Sequence, residues 1–135
     1  MSDRFLGALA ACGFLLMAVP ALAHHAVAAQ YDMDKPIELT GTLKKMEFIN
    51  PHSMLHLEVT KPDGTTAVWI FQTTNAGTLR QRGLARSGPG SLEPGATYTV
   101  GGFAARNGNP MGFLKTLKFP DGRVLTFWFG DPNGN

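Results

Sequence analysis

Residues Ser53 to Thr60 alternate strictly, with Leu55, Leu57 and Val59 on one side of an extended chain and Met54, His56 and Glu58 on the other. A period of two is the side-chain repeat of a β-strand; a helix would scatter these apolar residues around its circumference. The same pattern recurs along the chain between turn signals. Ile37 to Phe48 carries Leu39, Gly41 and Leu43 at period two and stops before Asn50-Pro51. Thr65 to Thr73 sets Ala67, Trp69 and Phe71 against Val68 and Ile70, following the turn sequence Lys61-Pro62-Asp63-Gly64. Leu92-Glu93-Pro94-Gly95 leads into Ala96 to Phe103, and Met111 to Phe119 and Arg123 to Phe129 flank Pro120-Asp121-Gly122 as a final hairpin. Only one segment reads otherwise: Thr74 or Asn75 caps a short helix to about Gly83, anchored by Leu79 and Leu84 with Arg80, Arg82 and Arg86 outward.

Three strands, a short helix and two or three further strands predict a mostly β domain. The order is that of a small OB-like antiparallel barrel of five to six strands, with its one helix between strands 3 and 4. A small sandwich is the competing arrangement. The Gly101-Gly102 pair fits a strongly bent strand. At 135 residues and 44% hydrophobic the chain is one domain's worth of material. Its formal charge of +2 lacks the basic field of a sequence-independent nucleic-acid binder.

The amino terminus reads as an address. Arg4 precedes the uncharged apolar run Phe5 to Val19, and Pro20-Ala21-Leu22-Ala23 ends in a small-x-small cleavage pattern. The run falls short of the roughly 20 residues a membrane helix needs. Residues 1–23 are therefore expected to be a secretory signal peptide, with a periplasmic product that is not an integral membrane protein. A minor alternative is a lipoprotein anchored at Cys12, since Leu9-Ala10-Ala11-Cys12 resembles a lipobox. Cleavage after Ala23 removes the single cysteine, which excludes disulfides and thiolate chemistry from the mature chain. What remains divides into an N-terminal arm (24–36), the OB-like domain (37–129) and a polar flexible tail (130–135).

Several short strings resemble a family of small exported bacterial proteins known only as a domain of unknown function. They are His24-His25 with Tyr31-Asp32, Lys35-Pro36 with Leu39-Thr40-Gly41, Asn50-Pro51-His52, Asn75 with Leu79 and Gly83, Leu92-Glu93-Pro94-Gly95 and Phe119-Pro120-Asp121-Gly122-Arg123. The resemblance implies an exported, mostly β domain and no established activity. The chain departs from those relatives at Met54 and His56, where aromatic residues are expected.

All four histidines fall between positions 24 and 56. After cleavage His24 would offer its amino group and ring to one metal as a chelate, with His25 or His52 as a further ligand. His52-x-Met54-x-His56 forms a second cluster, in which a thioether beside imidazole favours Cu(I). His52 and His56 would stand roughly 13 Å apart along a strand, whereas either lies only about 6.6 Å from Met54. The candidate metal ligands are thus His24, His25, His52, Met54 and His56, with copper as the ion. The residue types are similar to those of small periplasmic OB-fold copper carriers, for which Trp69 and Met46 would be the counterparts here. Structural duties compete at each place: a frayed terminus at His24-His25, a ring bonded to loop backbone at His52, and strand-surface packing at Met54.

Carboxylates Asp32, Asp34, Glu38 and Glu47 are too scattered for an acid–base pair, and no Ser-His-Asp arrangement is evident. Tyr31-Asp32 is expected to pin the arm to the domain. The expectation is a periplasmic ligand-binding protein and not an enzyme. An interaction module for an envelope protein or glycan, with structural histidines, is the alternative; nucleic acid is excluded as a partner.

Overall fold

A computed structural model describes residues 27–128. The expected signal peptide, His24, His25 and the C-terminal tail lie outside the described residues. Residues 27–30 form a helical turn. Six strands follow: β1 (Tyr31–Glu47), β2 (Met54–Thr60), β3 (Thr66–Gln72), β4 (Thr97–Ala105), β5 (Met111–Lys118) and β6 (Val124–Thr126). The helix α1 (Ala76–Gln81) lies between β3 and β4, as the alternation and capping signals predict. Asn75 caps it, its side chain accepting from the Thr78 N–H.

The strands form one sheet in the order β3-β2-β1-β4-β5-β6, and a pairing of β3 with β5 closes it into a ring. The sequential neighbours are antiparallel, but the closing seam is parallel, with Ile70 opposite Met111 and Phe71 opposite Gly112. The sheet is thus antiparallel between neighbours in that order, as expected, and closes through one parallel seam. Its reason is topological: α1 carries the chain across one end of the ring, so β5 returns in the same direction as β3. β6 is a three-residue addition to β5, shorter than the final hairpin strand expected from Arg123 to Phe129.

Alternation sorts the residues as the period of two requires. Leu55 and Leu57 are fully buried and Val59 nearly so, together with Leu43, Phe71, Val100, Leu114 and Leu117 in the ring's interior. Leu79 and Leu84, from α1 and the loop after it, complete this core. His56 and Glu58 face outward and are only partly covered. Gly102 sits at an irregularity in the β4–β5 pairing, and a Cβ there would collide with the Phe113 carbonyl. The strand can bend only because that position lacks a side chain.

A second cluster lies on the outside of the ring, where Phe103 and Phe113 pair between inward-facing neighbours. Tyr31 and Met33 cover them from the start of β1, and Trp128 packs edge-on against both rings at 5.6 and 5.7 Å. Part of the segment read as an N-terminal arm is thus strand from Tyr31 onward, although Asp32, Asp34, Lys35 and Pro36 hide its alternation. The Tyr31 hydroxyl donates to Gln72 Oε1 at 2.9 Å, and burial pushes its pKa up. Arg106 donates to the Ala28 carbonyl and lies 3.6 Å from the Asp32 carboxylate. Tyr31 and Asp32 do hold this segment to the sheet.

Candidate functional site

The loop between β1 and β2 is fastened by groups other than its histidine. Ser53 is fully buried: its N–H donates to the Thr74 carbonyl, its carbonyl accepts from the Thr73 N–H, and its hydroxyl donates to the Ile49 carbonyl. Asn50 Oδ1 accepts from the Ala76 N–H at the start of α1. Arg86 donates to the Phe48 carbonyl at 2.9 Å. With the backbone satisfied in this way, His52 is exposed and its ring makes no hydrogen bond among the described residues. The loop-holding duty expected for His52 belongs to Ser53 instead.

His52 and Pro51 form one rim of a cleft of about 270 Å³ at the end of the ring where β3 leaves for α1. The opposite wall is aromatic, made by Phe113, Phe127 and Trp128. Thr73, Thr74 and Asn75 line its polar side, and Val27 contributes an apolar contact from the chain's beginning. Thr73 is only 1% exposed, and its Oγ1 has no hydrogen-bond partner among the described residues. An unmade bond at a buried hydroxyl costs about 1–3 kcal/mol. The cleft thus combines an imidazole that is unbonded among the described residues with apolar walls, the composition of a small-ligand site.

The other sequence-predicted ligands are placed elsewhere. His56 sits on the outer face of β2, with its Nε2 2.7 Å from Glu47 Oε2. Lys45 bonds the same carboxylate at 2.9 Å. The Lys45 bond, then the His56 bond, hold the Glu47 carboxyl below its ordinary pKa. Met54 is half-buried between Glu47 and Gln72 on the neighbouring strands. Neither Met54 nor His56 lines the cleft that His52 borders. Met46 and Trp69 pair with the inward residues Leu55 and Leu57 and pack on the interior core. They therefore lie on the opposite face from His56, and the expected likeness to a copper carrier's exposed Met–Trp face does not form. Among the described residues no group of three or more His, Cys, Asp or Glu side chains converges to hold a metal ion.

Sequence reasoning missed Thr73 and Trp128. A buried threonine at a strand end carries no signal of its own. Trp128 follows the alternation of the last strand and reads as an ordinary strand residue; its packing outside the ring depends on Phe103 and Phe113, distant in sequence.

No curated protein and no solved structure matches the chain. A family model does match, over residues 13–115, most of the chain's length. The expectation of a domain of unknown function holds at the level of the family: the chain belongs to a family of unknown function, DUF6152.

Proposed function

We propose that this protein is an exported, non-catalytic binding domain that holds a copper ion with His52 and the histidine pair His24-His25. The observation that carries the reading is the free ring of His52 at a cleft to which Val27 also contributes. Only Ala26 separates His25 from Val27, and an extended chain spans at most about 3.6 Å per residue, so two steps of chain bridge at most about 7 Å. That reach supports the reading that the histidine pair and His52 serve one cleft. Copper is the ion of choice because imidazole and a terminal amine suit it and it heads the affinity order of divalent first-row metals. His56, bonded to Glu47, stands outside this ligand set, and Met54 stays with it on β2.

Trp128 in the cleft wall supplies the test. Copper added to the protein should quench tryptophan fluorescence with one site per chain. His52→Ala should weaken binding by about tenfold or more, while leaving the metal-free melting temperature unchanged, because the ring makes no hydrogen bond among the described residues. Equal copper affinity in both proteins would overturn the reading.

The aromatic wall of Phe113, Phe127 and Trp128 favours a second reading, in which the cleft stacks a sugar ring of an envelope glycan. In that case oligosaccharide would change the Trp128 emission without copper, and His52→Ala would alter that response.

A further inference from the structure

A second cleft, of about 510 Å³, opens between α1 and the end of β1. Phe48, Leu84 and Ala85 make its apolar side, and Arg80 and Arg86 its charged side. The Arg86 guanidinium is held in place twice, by its hydrogen bond to the Phe48 carbonyl and by its position 5.3 Å over the Phe48 ring. A single bond to Phe48 leaves most of its five N–H donors for a ligand. The Arg80 side chain, in the last turn of α1, makes no hydrogen bond or ion pair among the described residues. No carboxylate is among the residues that line this cleft, and the sequence contains neither Asp nor Glu between Asp63 and Glu93. Elsewhere on the described surface, Asp32, Glu47 and Glu58 are each ion-paired with a neighbouring cation. In this cleft, by contrast, two arginines line one concavity and no acidic side chain lines its wall.

We propose that the cleft binds a phosphomonoester, with its phosphoryl group between Arg80 and Arg86 and its organic body against Phe48 and Ala85. A phosphomonoester carries about −1.5 to −2 charges near pH 7, which matches two guanidiniums better than the single charge of a carboxylate does. Arginine also offers paired N–H donors that fit phosphoryl oxygens. The volume exceeds what a phosphate ion alone would fill, so the apolar side has room for the ester's organic part. The site is separate from the His52 cleft and independent of copper.

Calorimetric titration of the whole protein would use four probes: inorganic phosphate, glucose 6-phosphate, glucose, and vesicles of phosphatidylcholine with and without phosphatidic acid. Glucose 6-phosphate or phosphatidic acid vesicles should bind more tightly than inorganic phosphate, and glucose should not bind. Tighter soluble binding identifies a sugar phosphate as the source, and tighter vesicle binding a lipid headgroup. Arg80→Gln and Arg86→Gln should each lower affinity by about tenfold, and Arg86→Lys should recover only part of it because the fork is lost. The Arg80 side chain makes no hydrogen bond or ion pair among the described residues, so Arg80→Gln remains informative even if Arg86→Gln disturbs the Phe48 loop. His52→Ala should leave this binding unchanged. Failure of every phosphate-bearing probe to bind, or full affinity in Arg80→Gln, would overturn the proposal.

Discussion

Thr73→Val should make the ligand-free protein more stable. The wild-type hydroxyl is buried at 1% exposure and without a partner among the described residues, so folding strips it of water without replacement. That loss is about 1–3 kcal/mol, and valine removes it while keeping the β-branched shape. The backbone bond from the Thr73 N–H to the Ser53 carbonyl is untouched by the change. The expected gain is about 1–2 kcal/mol, after discounting for imperfect fit of the new methyl. For a domain of this size each kcal/mol raises the melting temperature by about 4–8 °C. Urea unfolding is the cleaner assay, since an unchanged slope with a higher midpoint isolates stability from any change in compactness. Thr73→Ser is the control: it keeps the stranded hydroxyl and loses a buried methyl, and should destabilise by about 1 kcal/mol. A Thr73→Val protein less stable than wild type by about 1 kcal/mol or more would refute the reasoning, because it would mean the hydroxyl is hydrogen-bonded in the folded state.

Three further outcomes follow from the same structure. Leu57→Ala, at a fully buried position in the interior core, should cost about 2–5 kcal/mol in urea unfolding, while Glu58→Ala on the outer face should cost little; equal effects would mean that the strand's faces are exchanged. Glu47 titrates below its ordinary pKa, so its contribution to stability is present above that ordinary value and is lost as pH falls through the depressed one. In an NMR titration Lys45→Ala should raise the Glu47 pKa more than His56→Ala does, and the reverse order would contradict the assignment of causes. Intact mass of exported protein should begin at His24, and one residue added before it should weaken Cu(II) by separating the amino group from the imidazole; a diacylated Cys12 or a retained Met1 would remove that chelate.

The interior of the ring was legible in the sequence because burial on one face of a strand imposes a period of two, which Leu55, Leu57 and Val59 display without interruption. The helix was legible through Asn75, whose cap is a local property. The early start of β1 was not, since Asp34, Lys35 and Pro36 occupy exposed positions, Asp32 is polar, and only Tyr31 and Met33 mark the covered side. The parallel seam was hidden for a different reason: a pairing of Ile70 with Met111 is a long-range contact without a turn signal between the partners. At the candidate site, residue type nominated His52, but spacing could not tell it from His56. The distinction lies in partners, Glu47 for His56 and none among the described residues for His52, and partners are set by strand register. Thr73 and Trp128 enter the cleft through tertiary packing alone.

The claim that copper is held at His52 is tested most directly by Cu(II) electron paramagnetic resonance on the exported protein beside its His52→Ala variant, each with one equivalent of the ion. The account predicts nitrogen superhyperfine structure in the wild type and a changed pattern, with one imidazole fewer, in the variant. Identical spectra for the two proteins, or the signal of aqueous copper in the wild type, would contradict it.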